Sequence, residues 1–279
     1  MSDHEDNILI LKEEYAKMLK DAKRLVIKVG TSTITHATGK LNINRMDMLA
    51  MEIADLVGIG KEIIFVTSGA VGAGMGRLAL KAKPNQIAKK QALAAVGQGL
   101  LMQAYEKLFS EYGVDVAQIL LTKEDIADKH RYTNAKNTLE ALFDYGVLPI
   151  INENDTVAFE EIKVGDNDTL AALIAGLAEA DLLVLLSDID GLYTADPRTN
   201  PEAKLISVVE ELTPEIYAAA GAEGSKLATG GMSTKLAAAA IARENGIPMV
   251  LANGSRGHIL ENLVEGICCG TLFLPKIKA

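Results

Sequence analysis

The stretch from residue 148 to residue 198 constrains the fold more than any other part of the chain. Two short apolar runs, residues 148–151 and 182–186, have the length and composition of buried strands, and polar residues follow each of them at once. Between them, residues 170–178 are small and apolar and have the pattern of a helix. This order predicts a βαβ unit with parallel strands, in which ligands bind beyond the carboxyl ends of the strands. Both polar segments are therefore expected to line one site.

The composition favours a large α/β fold. Apolar residues make up 49% of the 279 positions, aromatic residues only 4%, and tryptophan is absent. A core of alanine, valine, isoleucine and leucine suits parallel strands that are covered on both faces. Strands and helices alternate along the whole chain without a linker, which predicts one three-layer αβα sandwich with a mostly parallel central sheet. The formal charge of −9 argues against a nucleic-acid binder, because such proteins need a basic face.

The periodicity predicts seven strands and seven helices. The strands are expected at residues 24–29, 62–67, 114–121, 147–151, 182–186, 248–252 and 271–274. The helices are expected at residues 8–20, 46–57, 88–110, 133–145, 170–178, within 210–224, and at 236–244. The first helix is amphipathic and is expected to pack on the body of the protein as an N-terminal extension.

Cysteine usage and the N-terminus favour a cytoplasmic protein. Cys268 and Cys269 are adjacent and cannot form a disulfide framework, so we expect two small buried residues in a reducing compartment. The first residues are acidic and lack the basic start of a signal peptide. No apolar run approaches the roughly 20 residues of a membrane span, so no membrane association is expected.

Lys28 is a charged residue near the carboxyl end of an otherwise apolar predicted strand. An edge strand often carries such a lysine, which then points at water. Alternatively, the lysine is aimed at an anion beside the turn that follows. The sequence leaves both interpretations open.

Two glycine-rich segments are candidate anion sites. In the first, residues 68–76, small residues join a strand to the start of a helix, where backbone N–H groups are free to bind an anion. Tight packing is the alternative, but four glycines destabilise a helix, so we favour an anion. The second segment, residues 229–235, brings Lys235 into the first turn of a helix, where the helix dipole disfavours a cation. A bound anion would remove that penalty, and a solvated lysine is the alternative.

Several enzyme classes are excluded. Residues 72–77 lack the third glycine of a dinucleotide fold, and no segment matches a Walker A loop or a serine-hydrolase elbow. The four histidines are scattered, unlike the ligands of a metal hydrolase. Two anion sites, two lysines and two acidic loops fit phosphoryl transfer, which needs positioning and charge stabilisation above all.

Six motifs closely resemble those of the amino-acid kinase family, over about residues 24–274. They are KVGTS at 28–32, VTSGAV at 66–71, INENDTV at 151–157, VGDNDTLAA at 164–172, DGLYTADPR at 190–198 and TGGMSTK at 229–235. The sequences of these motifs are most similar to those of family members that phosphorylate the side-chain carboxylate of L-glutamate with ATP and Mg²⁺. The product, L-glutamyl 5-phosphate, begins the route to proline.

The resemblance implies roles for individual residues. Lys28, Lys235 and Asp168 would be catalytic, with Asp168 orienting the two lysines. The implied glutamate-binding residues are Ser68, Gly69, Asp155, Asp166 and Asn167. The implied ATP-binding residues are Lys28, Ser187, Asp188, Thr229, Gly230, Gly231, Met232, Ser233, Thr234 and Lys235. Asp166 would help to hold the substrate amine or the metal, whose exact ligands the resemblance does not assign.

The resemblance also implies an organisation and partners. A substrate lobe at about residues 24–170 and a nucleotide lobe at about 171–279 would form one domain behind an N-terminal extension at 1–23. A homo-oligomer, feedback inhibition by proline and contact with glutamate-5-semialdehyde dehydrogenase are expected. Many members carry a C-terminal module of the type found in RNA-modifying enzymes; this chain is expected to lack it and to bind no nucleic acid. A sibling kinase acting on N-acetylglutamate and a non-catalytic ATP or amino-acid sensor are the alternatives.

Overall fold

The computed structural model describes residues 11–158, 166–221 and 231–276. The helices are α1 (Glu13–Asp21), α2 (Thr31–Ile34), α3 (Ile43–Gly58), α4 (Ala70–Arg77), α5 (Ile87–Glu111), α6 (Lys123–Ala127), α7 (Lys129–Asp144), α8 (Asp166–Leu177), α9 (Pro214–Ala219), α10 (Met232–Glu244) and α11 (Ile259–Val264). The strands are β1 (Arg24–Val29), β2 (Glu62–Val66), β3 (Val116–Leu121), β4 (Leu148–Glu153), β5 (Leu182–Ser187), β6 (Val208–Val209), β7 (Met249–Asn253) and β8 (Gly270–Phe273).

The strands form one sheet in the order β3-β4-β2-β1-β5-β7-β8-β6. Strand β1 lies in the middle of this sheet and pairs in parallel with β2 on one side and β5 on the other. Strands β3, β4 and β7 continue the parallel arrangement, and β8 runs antiparallel to β7. All six residues of β5 are buried, as expected for a parallel strand that helices cover on both faces.

Alternation along β1 divides the core into two layers. Leu25, Ile27 and Val29 belong to one apolar cluster, which also contains buried residues of α3 and α5. Val26 belongs to the other cluster, with residues of α8 and α10. Since side chains alternate across a strand, Lys28 lies on the same face as Val26, toward α8 and α10. The predicted three-layer sandwich with a mostly parallel sheet is confirmed.

The sequence placed most elements correctly, with a few errors at their boundaries. Helix α8 begins at Asp166, four residues before the predicted start at Leu170, so Asn167 and Asp168 lie in a helical turn and not in a loop. Acidic residues are favourable in a first turn because they complement the helix dipole. Of the helix expected within residues 210–224, the described residues 210–221 contain only α9, and residues 222–224 lie outside the described residues. Strand β6 and the short helices α2, α6 and α11 were not predicted as separate elements, and α4 was predicted only as the start of a helix within residues 68–76.

The N-terminal helix packs on the body as expected. Helix α1 begins at Glu13, and its Leu19 is fully buried. Residues 8–10 of the predicted helix lie outside the described residues. Cys268 and Cys269 are free thiols and both are buried, as expected for small core residues.

Glycines bring α4 and α5 into backbone contact. A methyl group at Gly97 would lie 1.7 Å from the carbonyl oxygen of Ala70, and one at Gly74 would lie 2.1 Å from that of Leu93. A methyl group at Gly76 would lie 2.6 Å from the backbone of Gly39. Packing therefore accounts for two glycines of the segment 68–76. These two glycines do not by themselves indicate an anion site, and the prediction of an anion there depends on Ser68 and on the start of α4 at Gly69.

Gly97→Ala is expected to lower the free energy of unfolding by about 3 kcal/mol, because the added methyl group must separate two helix backbones. Gly99→Ala, two residues along the same helix, is the control: outside its own helical turns no atom lies within 4 Å of the added group, and the loss of a helical glycine should stabilise the protein by about 0.5–1 kcal/mol. Urea unfolding followed by circular dichroism measures both changes. Equal effects of the two substitutions would show that the close contact is not a constraint.

Candidate active site

The carboxyl ends of the central parallel strands meet at one edge of the sheet. Lys28 in β1 is in register with Val66 in β2, and Val66 with Ile151 in β4. On the other side, Val29 is in register with Leu186 in β5. The polar segments after β4 and β5 therefore lie at the same edge as the turns after β1 and β2, as the sequence predicted.

Lys28 is a buried residue of a central strand. Neighbouring strands flank it on both sides, and only 5% of its surface is exposed. Its Nζ lies 2.5 Å from Oδ1 of Asp168, in the first turn of α8. The interpretation of Lys28 as an edge-strand lysine was wrong, because the order of strands in the sheet places β1 at its centre.

Asp168 also binds the lysine at the start of α10. Nζ of Lys235 lies 3.2 Å from Oδ2 of Asp168, and Oγ1 of Thr234 donates a hydrogen bond of 2.8 Å to the same oxygen. Lys235 is 8% exposed, so the alternative of a solvated lysine was also wrong. Gly231, which precedes α10, has a φ of 78°, a conformation that favours glycine.

The charges of this cluster shift the pKa values of Asp168 and Lys28. Burial works to raise the pKa of Asp168, but the ammonium groups of Lys28 and Lys235 outweigh it and hold this pKa below its usual range. Burial lowers the pKa of Lys28, an effect that Asp168 opposes and Lys235 strengthens. In the ionised state, two cations face one carboxylate, so the cluster carries one net positive charge in a poorly hydrated place. Such a cluster attracts an anion.

A neutral hydrogen-bond network lies next to this cluster. Nδ2 of Asn167 donates to the carbonyl oxygen of Thr67 at 2.7 Å, to Oγ of Ser68 at 3.1 Å and to Oδ1 of Asn152 at 2.8 Å. The resemblance had pointed to Asn167 and Ser68, and the structure brings them into contact. Asn152 belongs to the polar segment after residue 151 that was expected to line the site, but no role of its own was predicted for it. Its position at the carboxyl end of β4 was the basis of that expectation.

The remaining predicted site residues are distributed around the same edge. Ser187 is the buried last residue of β5, and its hydroxyl donates to the exposed Asp188 at 3.1 Å. Gly69 precedes α4 with a φ of 95°, and Asp155 lies half-buried after β4. Met232 and Ser233 lie in the first turn of α10. Thr229, Gly230 and the side chain of Asp166 lie outside what the structure describes.

Among the described residues, no group of three or more histidine, cysteine, aspartate or glutamate side chains could hold a metal ion. Both oxygens of Asp168 are occupied by lysines and Thr234, so this carboxylate does not fit as a metal ligand.

Within the residues that the structure describes, no helix has the length and apolarity needed to cross a membrane.

Asp168→Asn is expected to lower the free energy of unfolding by about 3–5 kcal/mol, because it leaves two buried ammonium groups without their carboxylate. Glu179→Gln is the matched control: it breaks the exposed pair with Lys136, whose atoms lie 2.6 Å apart, and should cost at most about 1 kcal/mol. Chemical unfolding at pH 7.5 measures both. A loss below about 1 kcal/mol for Asp168→Asn would contradict the importance of the cluster for the fold.

Comparison with known proteins identifies a family and several relatives of the chain. Residues 23–253 match the model of the amino acid kinase family. The chain is 58% identical over 258 residues to a glutamate 5-kinase of Moorella thermoacetica, covering 92% of this chain and 68% of the relative. It is 55% identical over 262 residues to a glutamate 5-kinase of Clostridium acetobutylicum, covering 94% of this chain and 98% of the relative.

Solved structures with low sequence identity share the fold. The UMP kinase of Ureaplasma parvum superposes with a TM-score of 0.64 at 16% identity, covering 91% of this chain and 99% of that chain. An isopentenyl phosphate kinase superposes with a TM-score of 0.63 at 16% identity, covering 90% and 99%. By its matched domain and by relatives that share more than half of their aligned residues with it, the chain belongs to the amino acid kinase family and, within that family, to the glutamate 5-kinases.

Proposed function

We propose that the protein transfers the γ-phosphate of ATP to the side-chain carboxylate of L-glutamate and forms L-glutamyl 5-phosphate, the first step of proline biosynthesis. The observation that supports this best is the buried cluster of Lys28, Asp168 and Lys235 at the carboxyl edge of the sheet. Its relatives of 55–58% identity are glutamate 5-kinases. A cluster with a net positive charge matches a reaction between two anions.

The main barrier to this reaction is electrostatic repulsion. A carboxylate must approach a phosphate, and two unit charges at 4 Å repel each other by about 4 kcal/mol at an effective dielectric constant near 20. The ammonium groups of Lys28 and Lys235 offset this repulsion as charge moves from the leaving oxygen to the attacking one. No general base is needed, because the attacking carboxylate is already ionised at pH 7.

Asn167 and Ser68 would bind the glutamate substrate. Because Nδ2 of Asn167 is engaged by three acceptors, its Oδ1 is the oxygen left to accept a hydrogen bond, and within the described ranges it has no protein partner. This oxygen suits the ammonium group of glutamate, with the carboxylates of Asp155 and Asp166. Gly69, at the start of α4, would offer backbone N–H to a substrate carboxylate.

The nucleotide would lie over β5 and α10. Ser187 and Asp188 would contact ATP, as would residues 229–235, with the ammonium group of Lys235 on its phosphates. Mg²⁺ would enter with ATP as part of the substrate complex, since this ion prefers phosphate and water oxygens to an all-protein cage. The glutamate site at about residues 24–170 and the nucleotide site at about 171–279 would thus be two lobes of one domain.

The resemblance suggests a wider setting for the same reaction. We infer a cytoplasmic homo-oligomer that is subject to inhibition by proline. Its product is an acyl phosphate, which hydrolyses readily, so a contact with glutamate-5-semialdehyde dehydrogenase would shorten its exposure to water.

Purified protein with MgATP is expected to release ADP in the presence of L-glutamate and to form a hydroxamate when hydroxylamine traps the acyl phosphate. N-acetylglutamate should give at most about a hundredth of that rate, because its amine carries no charge for the carboxylates and for Oδ1 of Asn167. A protein that phosphorylated only the acetylated compound would be a sibling kinase, and one that bound ATP without turnover would be a sensor. Adding proline to the same assay measures feedback inhibition.

Lys235→Ala is expected to lower kcat by on the order of a hundredfold or more, the effect of losing one group that stabilises charge in the transition state. Lys276→Ala is the control, because this lysine pairs with Glu244 on the surface and has 60% of its side chain exposed. Steady-state kinetics with both substrates saturating separates the two variants. Turnover of Lys235→Ala at the wild-type rate would contradict the role of this lysine.

A further inference from the structure

We propose that Gln98, in the middle of α5, is a positioning residue for glutamate: through Asn152 it sets the orientation of the side-chain amide of Asn167. This inference rests on the proposed function, since it concerns the same substrate site. Gln98 is 54 positions from Asn152 in the sequence, and no motif of the chain contains it. The direction of each hydrogen bond between these amides determines which way each amide faces.

The amide of Asn152 has a fixed orientation. The backbone N–H of Glu153 donates to Oδ1 of Asn152 at 2.9 Å, and Nδ2 of Asn167 donates to the same oxygen at 2.8 Å. Nδ2 of Asn152 therefore points the other way, where it donates to Oε1 of Gln98 at 2.7 Å. If the amide of Asn152 were reversed, its Nδ2 would face the N–H groups of both Glu153 and Asn167. The acceptor on Gln98 and the donor on Glu153 thus fix Asn152 from its two ends.

The orientation of Asn152 contributes to that of Asn167, together with the carbonyl oxygen of Thr67 and the hydroxyl of Ser68. Because Oδ1 of Asn152 accepts from Nδ2 of Asn167, the oxygen of the Asn167 amide is turned away from the network and toward the proposed substrate site. Without the acceptor on Gln98, Nδ2 of Asn152 would be left without a partner at a position where only 2% of the residue is exposed. Its amide would then be held only by the two hydrogen bonds to its Oδ1, and each turn of this amide would present N–H to Asn167 and weaken the hold on the oxygen that faces the substrate ammonium.

Gln98 is a poor choice for stability alone. The residue is 91% buried, yet its Nε2 has no hydrogen-bond partner among the described residues. A buried amide with an unsatisfied donor is less favourable than an apolar side chain of similar shape. The neighbouring Gly97, packed against the carbonyl oxygen of Ala70, holds this part of α5 close to the start of α4 and to Ser68. We therefore attribute the amide at position 98 to its role as the hydrogen-bond acceptor of Asn152.

The test is a steady-state comparison of Gln98→Met, Gln98→Glu and wild type. Gln98→Met has a similar volume and no comparable acceptor, so KM for glutamate should rise about tenfold, the effect of losing one buried hydrogen bond. KM for ATP should stay within about twofold and the melting temperature within about 3 °C, because the change removes one unsatisfied group and creates another. Gln98→Glu keeps an acceptor oxygen for Asn152 in either protonation state and should keep KM for glutamate within about threefold of wild type.

Two further variants isolate the mechanism. Gln103→Met, at an exposed position on the same helix, is the control and should leave both KM values unchanged. In an Asn152→Ala background, Gln98→Met should add no further rise in KM for glutamate, because the two residues act in series. Should Gln98→Met fail to fold, Gln98→Asn, which withdraws the amide by one methylene group, is expected to show the same rise.

The outcomes separate this inference from the proposed function. Wild-type protein that transfers no phosphate to glutamate would overturn both. Active wild type together with an unchanged KM for glutamate in Gln98→Met, or with an equal rise in both KM values, would overturn the positioning role alone. A rise in KM for glutamate that Gln98→Glu does not restore would also overturn it.

Discussion

The placement of one buried carboxylate between two buried ammonium groups is the constraint on which the rest of the structure depends. Asp168 is 1% exposed and contacts Lys28, 140 positions before it, and Lys235, 67 positions after it. The cluster therefore joins the central strand to two helices from the second half of the chain. Apolar side chains of similar volume could stabilise such a place equally well or better. The charges are better explained by the anions of the proposed reaction than by the stability of the fold.

The layer on the other face of the sheet supports the site through close backbone packing. Helices α4 and α5 approach each other at Gly74 and Gly97, where even a methyl group would not fit. This contact brings α5 beside the turn after β2, so a helix that belongs to the core also contributes the acceptor of Gln98 to the network of Asn152. A rigid platform of this kind holds polar groups more reproducibly than a loop does, since packing fixes both their backbone and their rotamers.

The sequence predicted the fold class, most strands and the residues that meet at the buried cluster of Lys28, Asp168 and Lys235, because each depends on a local pattern or on a motif. It could not decide between the two interpretations of Lys28, since that requires the order of strands, which long-range pairing determines. Helix α8 was predicted to start too late because the polar residues of its first turn resemble a loop. The close packing of Gly74 and Gly76 was not predicted, since the backbone that each contacts, at Leu93 and at Gly39, is distant in the sequence. Gln98 and Asn152 were missed as a pair for the same reason: their contact joins elements that are distant in the chain.

Consecutive residues of α8 connect the two halves of the proposed site. Neighbouring residues of an α-helix point about 100° apart, so Asn167 and Asp168 face different sides of the same turn. Asn167 contacts the turn after β2 and the end of β4, and Asp168 contacts β1 and α10. Under the proposed function, the first side holds the acceptor glutamate and the second the transferring phosphate. Because one helical turn has little freedom, it fixes the distance and direction between the two substrates, and this is where phosphoryl transfer gains most from an enzyme.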